Sequence, residues 1–436
     1  MGKLRNLAFV LVVISTILAV SMPSLQGTSS TRILAADAGD SWTTPVNISQ
    51  TSWEASASSF GGGLTADPQG NIHIVYTVYD GVDDDTREVF YVNNVDGSWS
   101  TPYNLTQNNI YDGTATITVD RQGNLHVLYV SYDSQDNEVF YVNKTSSGWG
   151  TPLNISQNTD NDGTGMIAVD NNGNLHAAWV GYDGSSAHDL EIFYANNTGG
   201  SWSTPLNVTQ NDHVDNWAKL AIDAQNKAHI VWYGTGPVFF DIFYANNVEG
   251  SWSITNVTAN VINDVFPSMA LDSAGNVHVA YISITGMDYS VFYMNKTGDA
   301  WGAIVNITAT NLAASSPSLV CDSSDKIHVA FYQNDSADFE IFYTNNTAGV
   351  WGTPVNTTQS GLNGRYPNMI IGRGGYAHII YRHTDVDYDV FYIRSTEAVG
   401  PRTFGEFPIL LVGIAAGVGG VVVIAAVAAW LLRKRG

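Results

Sequence analysis

One short motif, repeated seven times, constrains this chain more than any other feature of its sequence. A representative copy, DNNGNLHAAW, begins at Asp170. The histidines of the seven copies are separated by 53, 50, 53, 49, 50 and 50 residues: His73, His126, His176, His229, His278, His328 and His378. Internal periods of about 40 to 50 residues made of strand-like pieces are typical of β-propellers and related repeat folds. The chain is therefore predicted to fold as an array of similar units.

Each repeat contains four strand-like pieces. The first is a WxxP segment that ends in Asn-x-Ser/Thr, such as SWTTPVNIS from Ser41. Because proline cannot donate to a strand ladder, this piece is expected at the outer edge of its sheet. An apolar piece ending in aspartate, a tight polar turn, the histidine strand and an FY segment such as EIFYAN follow in order. Four antiparallel strands in about 50 residues are the content of one propeller blade.

The two ends of the array predict how the ring closes. The chain enters the array with the outer piece at Trp42 and leaves it after Phe391 and Tyr392 with no outer piece behind them. If the N-terminal piece completes the last blade, no free sheet edge remains to promote aggregation. We therefore predict an all-β ectodomain over residues 41–396, a seven-bladed β-propeller of four-stranded blades closed by its N-terminal strand.

The segment before the array predicts export. Residues 1–36 have the pattern of a signal peptide, with Lys3 and Arg5 ahead of an apolar stretch at 7–20 and then small and polar residues. An uncleaved signal anchor is the alternative interpretation of this segment.

The segment behind the array predicts membrane attachment. After a linker at 397–407, residues 408–432 are expected to form one C-terminal transmembrane helix, because the uncharged run at 407–432 is 26 residues long and a bilayer core of about 30 Å needs about 20 residues. Arg433, Lys434 and Arg435 follow in the terminal segment 433–436, and basic flanks stay in the cytoplasm. The propeller is therefore expected outside the cell, on a single-pass anchor.

Charge and cysteine content exclude several classes of protein. The net charge is −22, with 18 basic and 40 acidic residues, whereas a nucleic-acid interface needs a basic patch to neutralise phosphates. Cys321 is the single cysteine, so no disulfide framework holds the blades together. Each repeat histidine belongs to a different blade, and zinc needs three or four converging ligands. We therefore predict no zinc site, and a hydrogen-bonded core role for these histidines.

Calcium is the one metal for which the sequence offers candidates. The acid-rich loops contain Asp80 with residues 83–85, and Asp133 with Asp136, and carboxylate oxygens are calcium ligands. A solvated loop is the alternative. The carboxylate ahead of each FY segment recurs with the repeat and is predicted to make a structural contact within the blade: Glu88, Glu138, Glu191, Asp241, Glu340 and Asp389, with Ser290 as the exception.

Twelve Asn-x-Ser/Thr sequons fit an exported protein. One set ends the outer pieces: Asn47, Asn104, Asn154, Asn207, Asn256, Asn306 and Asn356. The other lies in hairpins and loops: Asn143, Asn196, Asn295, Asn334 and Asn345. All twelve are candidate glycosylation sites, and the alternative is that asparagine and threonine recur here because they suit turns and edges.

The motif D-x-x-G-N-x-H, seen as Asp120, Gly123, Asn124 and His126, resembles the repeat of NHL-type propellers. The whole repeat, over residues 41–394, is similar to the blades of sialidase and BNR-repeat propellers. The resemblance implies a propeller fold. For function it implies, as an alternative to binding alone, sialidase-like glycan cleavage.

Functional residues are expected on one face of the propeller, where two sets of variable loops emerge together. Aromatic rings stack on sugars and also dominate protein interfaces. The candidate ligand-binding residues on these loops are Trp53, Tyr111, Asp112, Asp162, Asp215, Trp217, Asp264, Phe266 and Tyr366.

Three arginines are expected on the same face. Arg87 belongs to the first blade, while Arg365 and Arg382 belong to the last, and ring closure makes those blades neighbours. Guanidinium groups bind carboxylate or sulfate in a bidentate manner. The sequence therefore predicts a surface propeller that recognises glycans or protein partners, with a sialidase-like hydrolase and a purely structural envelope component as the alternatives.

Overall fold

The structure, a computed structural model, describes residues 41–50, 55–56, 63–79, 87–108, 110–184, 190–308, 312–359, 361, 363–383 and 389–400. The predicted signal peptide and transmembrane helix, Trp53, Asp80 and residues 83–85 lie outside these ranges. Within them, no helix is long and apolar enough to cross a membrane.

Seven antiparallel sheets form the blades, and the strands of each sheet follow one another from the channel outward. Blade 1 comprises Leu64–Ala66, Ile72–Tyr79, Arg87–Asn93 and Tyr103–Asn104, with Ala55–Ser56 also paired to its second strand. Blade 2 comprises Asp112–Val119, Leu125–Tyr132, Asn137–Thr145 and Leu153–Asn154, with Gly148–Trp149 beside its third strand. Blade 3 comprises Asp162–Val169, Leu175–Tyr182, Leu190–Asn196 and Leu206–Asn207.

The remaining blades repeat this order. Blade 4 comprises Asp215–Ile222, Ala228–Thr235, Phe240–Asn246 and Ser253–Asn256. Blade 5 comprises Asn263–Leu271, Val277–Thr285, Asp288–Thr297 and Val305–Asn306, with Ala300–Trp301 beside its third strand. Blade 6 comprises Ala314–Cys321, Ile327–Asn334, Phe339–Asn345 and Val355–Asn356. Blade 7 comprises Gly364–Ile371, Ala377–His383, Val390–Arg394 and, from the start of the chain, Val46–Asn47.

The ring closes as the sequence predicts. Val46 and Asn47 pair with Tyr392 and Phe391 of the last blade. The inner strands of neighbouring blades contact one another around the channel, including those of blades 7 and 1. The seven-bladed, four-stranded propeller closed by its N-terminal strand is therefore confirmed.

The propeller has two faces, one at each end of its central channel, and they differ in the chain segments that connect the strands. On one face, which we call the loop face, the inner strands begin, the second strands lead into the third strands, and the outer strands end. On the opposite turn face, the D-x-x-G-N turns join inner to second strands. The second strands are buried almost throughout, as in LHAAWVGY of Leu175–Tyr182, because they are covered by neighbouring blades on both sides. This burial explains their continuous apolar character.

The repeat motif builds a chain of polar contacts inside each blade. In blade 1, Asp67 Oδ1 accepts the backbone N–H groups of Gln69 at 2.9 Å and Asn71 at 2.8 Å, which holds the turn. Its other oxygen lies 3.3 Å from His73 Nε2, and His73 Nδ1 lies 2.7 Å from the Tyr91 hydroxyl. Burial lowers the pKa of His73. A neutral ring facing a carboxylate donates from Nε2, so Nδ1 accepts the tyrosine proton.

The same histidine–tyrosine contact occurs in all seven blades, at 2.6 to 2.8 Å. The pairs are His73–Tyr91, His126–Tyr141, His176–Tyr194, His229–Tyr244, His278–Tyr293, His328–Tyr343 and His378–Tyr392. Each histidine is at most 8% exposed. The hydrogen-bonded core role predicted for the repeat histidines is thus confirmed.

A tryptophan from the next blade packs edge-on against each of these tyrosines, with ring centres 4.8 to 5.5 Å apart. The pairs are Trp149–Tyr91, Trp202–Tyr141, Trp252–Tyr194, Trp301–Tyr244, Trp351–Tyr293, Trp42–Tyr343 and Trp99–Tyr392. Such edge-to-face pairs contribute about 0.5–1.5 kcal/mol each beyond area burial. The tryptophan of the WxxP motif therefore links neighbouring blades, and Trp42 links the closing blade 7 to blade 6.

We expect deletion of residues 41–50 from the full chain to lower the melting temperature by about 10 °C, since it removes two core side chains worth several kcal/mol. Trp42 is 7% exposed and Ile48 is fully buried. Thermal unfolding monitored by circular dichroism measures the effect. Thr44→Ala, a change at an exposed residue of the same segment, is the control. An unchanged melt after the deletion would show that the ring does not need this strand.

Blade 7 departs from the motif and predicts a pH effect. Gly372 stands where the other repeats have aspartate, so His378 contacts Tyr392 without a carboxylate of its own turn. Burial, and secondarily the charge of Arg394, lower the pKa of His378 to about 4. The folded state favours the neutral ring, so its stabilisation is complete above pH 6.5 and declines as pH falls toward 4.

When the pH is lowered from 7.5 to 5, the titration of His378 should reduce the free energy of unfolding of the wild type by about 2 kcal/mol. His378→Asn lacks this contribution, so the difference in free energy of unfolding between the wild type and the variant should be smaller at pH 5 than at pH 7.5. Denaturant titrations at the two pH values measure it. His213→Asn, at an exposed position, is the control, and a difference independent of pH would contradict the assignment.

Candidate functional site

Four of the predicted ligand-binding residues are buried at the start of inner strands. Asp112, Asp162, Asp215 and Asp264 are at most 2% exposed. Each accepts, at 2.6 to 2.7 Å, the side-chain amide of the asparagine four residues earlier. Burial raises the pKa of Asp112 to about 6 and that of Asp162 to about 7. These carboxylates hold the loops in place and are not on the surface that a ligand would meet.

Blades 3 and 4 show how this position is supported. The indole N–H of Trp179 donates to Asp162 Oδ1 at 2.9 Å, and that of Trp232 donates to Asp215 Oδ1 at 2.6 Å. A Cβ added at Gly181 would lie 2.1 Å from Asp162 Oδ1. Tryptophan and glycine therefore occur together in these two blades because the aspartate needs both a donor and space.

Trp217 and Phe266 come together at the loop-face end of the channel. Their ring centres are 4.6 Å apart at 66°, and Tyr233 packs edge-on against Phe266 at 5.6 Å and against Phe240 at 5.4 Å. We call these four residues the blade 4/5 cluster. Trp217 and Phe266 occupy a β-bulge with φ of 64° and 54°, a left-handed backbone that aromatic residues rarely adopt. The same backbone recurs at the equivalent residues Thr114, Ser316 and Tyr366, so the bulge belongs to the repeat, and it is the aromatic side chain that distinguishes blades 4, 5 and 7 at this position.

Lys219 lies directly below this cluster. It lines a channel cavity of about 200 Å³ together with Trp217, Phe266, Ser268, Ser316, Ser318 and Asn368. Its ammonium nitrogen is 5.8 Å from the Trp217 ring centre, the residue is only 9% exposed, and burial lowers its pKa to about 7. The corresponding residues of the other blades are uncharged: Gly63, Thr116, Met166, Ser268, Ser318 and Asn368. A cation at this one position is a departure from the repeat.

Two of the three predicted arginines lie together at blades 6 and 7. Arg365 and Arg382 are paired across neighbouring strands. The Arg365 guanidinium lies 4.2 Å from the Phe339 ring centre and 5.8 Å from that of Tyr332, and Arg382 lies 4.7 Å from that of Tyr366. We call these five residues the blade 6/7 cluster. Like charges opposite each other in a sheet are unfavourable, so this pairing favours a role in binding an anion.

Arg365 has capacity left for a ligand. Its Nε is buried without a hydrogen-bond partner. Among the described residues no carboxylate lies within 4.0 Å of its guanidinium nitrogens. A guanidinium held by aromatic faces keeps its donors available for a carboxylate or sulfate.

Arg87 and Tyr111 lie elsewhere on the face. The Arg87 guanidinium is 5.4 Å from the Tyr111 ring centre, and the two residues form a parallel bridge between blades 1 and 2. Arg87 therefore contacts blade 2, whereas Arg365 contacts aromatic rings of blade 6. The contacts do not join the three arginines into one site.

Sequence reasoning missed Lys219, Tyr233, Phe240, Tyr332 and Phe339. Lys219 lies within an inner strand, Asp215–Ile222, whereas the candidates were sought in the loops. A comparison of equivalent positions in the seven repeats would have found Lys219, because it is the one charged residue at a position that is uncharged in the other blades.

The outer-strand sequons have a structural role inside their blades. In blade 3 the Thr209 hydroxyl donates to the buried Glu191 and accepts the Ile192 N–H at 3.0 Å. Asn207 Oδ1 accepts the Thr209 N–H at 3.2 Å and the Gln210 N–H at 3.1 Å. The equivalent hydroxyl–carboxylate pairs are Ser49–Asp389, Thr106–Glu88, Ser156–Glu138, Thr258–Asp241 and Thr358–Glu340. The carboxylates ahead of the FY segments thus make the structural contacts predicted for them, and glycosylation of these asparagines stays a prediction.

Comparison with known proteins shows likeness of fold only. No protein-family model and no curated protein matches the chain. An ulvan lyase of polysaccharide lyase family PL25, solved bound to -[GlcA(1-4)Rha3S]-, matches with a TM-score of 0.53 at 14% identity over 80% of this chain and 96% of that chain. The polysaccharide lyase Uly1 matches with a TM-score of 0.53 at 10% identity over 80% and 93% of the two chains.

The intramolecular trans-sialidase from Ruminococcus gnavus matches at 10% identity over 83% of this chain and 96% of that chain, with a TM-score of 0.40. At these identities the two lyases show that the propeller architecture is shared. Function has to be argued from the residues of this chain.

The hydroxyl–carboxylate pair predicts a difference between two equivalent threonines. Thr209→Val removes a donor from the buried Glu191 and should lower the free energy of unfolding by about 1–3 kcal/mol. Blade 5 has Ser290 in place of the carboxylate, and its Thr308 donates to Asn306 at 2.8 Å instead. Thr308→Val should therefore be less destabilising. Denaturant titration measures both, and equal losses would contradict the role assigned to Glu191.

Proposed function

We propose that the propeller is a surface glycan-binding module that recognises acidic sugars at the loop-face mouth of its channel. The observation that carries the proposal is the placement of Lys219, Arg365 and Arg382 among aromatic rings in a chain with a net charge of −22. Cations kept against aromatic faces in an otherwise acidic protein suit a ligand that is itself anionic.

The geometry of the mouth supports a sugar of this kind. The cavity extends from Trp217 and Phe266 past Ser316 to Pro367, the residue after Tyr366. It thereby runs from the blade 4/5 cluster to the inner strand of blade 7, which also carries Arg365 and Tyr366 of the blade 6/7 cluster. Aromatic faces stack on the apolar side of a pyranose ring, and guanidinium groups bind its carboxylate or sulfate through paired hydrogen bonds. The ulvan lyase with the same architecture was solved with a uronic acid-containing saccharide, which supports this ligand class.

The proposal includes export and a C-terminal membrane anchor, as the terminal segments predict. The N–H groups of Val399 and Gly400 both donate to the carbonyl of Gly375, at 2.8 and 3.0 Å, in a turn on the turn face. The seven residues from 401 to 407 reach at most about 25 Å when extended. An anchor at 408–432 would therefore direct the turn face to the membrane and the loop face to the surroundings, where it can meet a ligand.

A glycan array with the full-length protein in detergent tests the proposal. We expect selective binding to uronate-, sialate- or sulfate-bearing oligosaccharides over neutral ones. Arg365→Gln and Trp217→Ala should each weaken binding at least tenfold, about 1.4 kcal/mol. Arg121→Gln is the matched control, since Arg121 contacts Asn171 on the turn face. Binding that survives Arg365→Gln, or no binding to any acidic glycan, would overturn the proposal.

Cleavage of an acidic glycan is a second candidate function, favoured by one observation. A lysine whose pKa is near 7 can both accept and donate a proton at neutral pH, and Lys219 has such a pKa in the cavity itself. If the propeller cleaves its ligand with Lys219 as base, Lys219→Met should abolish product formation even at ligand concentrations that compensate for weaker binding. Chromatography of bound oligosaccharides measures this. Intact oligosaccharide after prolonged incubation with wild type would leave binding as the function, and would also exclude the sialidase-like hydrolysis suggested by the repeat.

A further inference from the structure

Three carboxylates converge on the loop face of blade 2, away from the channel mouth. One oxygen from each of Asp133, Asp136 and Glu138 lies within 4.8 Å of the others. Asp136 is 7% exposed and Glu138 is fully buried. Among the described residues no basic side chain forms an ion pair with any of them. Buried negative charges need a compensating partner.

The Glu138 carboxylate differs from its counterparts in other blades. In three of these, one oxygen binds the sequon hydroxyl and the other accepts a backbone N–H from the following loop. Those second contacts are Glu88 with Asn108 at 3.0 Å, Glu191 with Asn211 at 2.8 Å and Glu340 with Gly361 at 3.0 Å. In blade 2, Oε2 of Glu138 accepts from Ser156, but Oε1 is buried without a partner. One oxygen of a fully buried carboxylate is thus left for a ligand.

The turn before it holds the other two carboxylates close to Glu138. Asp133 Oδ1 accepts the Gln135 N–H at 3.0 Å, and the Asp133 N–H donates to the Asp136 carbonyl at 3.0 Å. Ser134, with φ of 91°, allows the tight bend. Asp160, from the loop that leads to blade 3, adds a fourth negative charge: burial, then Asp133 and then Asp160, raise the pKa of Asp136. Carboxylates this close require either a shared proton or a cation.

We propose that this cluster is a calcium site formed by Asp133, Asp136 and Glu138. Calcium is coordinated by six to eight oxygens in flexible arrangements that accept carboxylates, carbonyls and water, and the donors here are oxygens. Magnesium, by contrast, requires near-ideal octahedral geometry and keeps most of its water. Asp160 also lines a groove of about 550 Å³ beside blade 3, so a bound ion would hold the loops that border this groove.

Blade 6 provides a natural comparison. Asp335, Asp338 and Glu340 repeat the spacing DSxDxE of blade 2, and the Asp335 N–H donates to the Asp338 carbonyl at 2.9 Å. However, Asp338 is only half-buried and the second oxygen of Glu340 is engaged by the Gly361 N–H. Leu362 occupies the position that corresponds to Asp160. The same motif is thus present without the converging, partly unsatisfied carboxylates.

Terbium luminescence and calcium calorimetry on the full-length protein in detergent test the site. We expect one high-affinity ion per chain, displaced by calcium in preference to magnesium, and a higher melting temperature with calcium than with chelator. Asp136→Asn/Glu138→Gln should weaken calcium binding at least tenfold, while the blade 6 control Asp335→Asn/Asp338→Asn should not. Absence of terbium binding, or equal effects of the two double variants, would overturn the proposal.

Asp133→Asn keeps the proposal testable if the double variant does not fold. Asp133 is exposed, and its neutralisation removes repulsion from Asp136. In chelator this variant should melt at or above the wild-type temperature, and with calcium it should gain less than wild type does. A full calcium gain in Asp133→Asn would instead show that calcium stabilises the protein at another place, and would overturn the proposal. The site does not depend on the glycan ligand, so its test and that of the proposed function succeed or fail separately.

Discussion

The architecture depends on one chain of contacts that runs from a turn aspartate through histidine and tyrosine to the tryptophan of the next blade. Within the blade, the histidine joins the second strand to the third, as His176 does with Tyr194 at 2.6 Å. Between blades, the same tyrosine receives the edge of Trp252, with ring centres 5.0 Å apart. A residue type often found in metal sites therefore serves here as a neutral connector.

Because each link joins one blade to the next, the last link leaves the ring without an open end. Trp42 and Trp99 make the two contacts on either side of the closing blade, with Tyr343 and Tyr392. The first segment of the propeller therefore carries more of the stability than its two-residue strand pairing suggests. These contacts hold neighbouring blades together in a chain whose single cysteine, Cys321, is free.

The fold was predictable from sequence because the spacing of the repeated motif gives the number and length of the blades. The array begins with an outer piece at Trp42 and ends without one after Tyr392, which predicts that the N-terminal piece closes the ring. Side-chain burial was harder to predict. Asp162 lies in a polar loop by composition, yet it is 2% exposed, because its position depends on Trp179 from the neighbouring strand and on the space that Gly181 leaves. Arg87 and Arg365 belong to adjacent blades, but cation–π contacts with Tyr111 and Phe339 direct them to different neighbours. Burial and side-chain partners of this kind depend on tertiary contacts, which the periodicity of the sequence does not reveal.

A repeat scaffold acquires specific sites where one copy gives up a structural contact that the others keep. Lys219 stands where every other blade has an uncharged residue, and it lines the shared channel. Glu138 keeps its contact with Ser156 but not the backbone N–H that satisfies Glu191 in the next blade. An unsatisfied buried oxygen costs about 1–3 kcal/mol, so a single copy can keep one only if the rest of the ring supplies enough stability or a ligand restores the missing contact. The carboxylates ahead of the other FY segments have both oxygens engaged by hydroxyl, amide or backbone donors, so the calcium ion proposed for blade 2 would restore at Glu138 the contact that only this copy lacks.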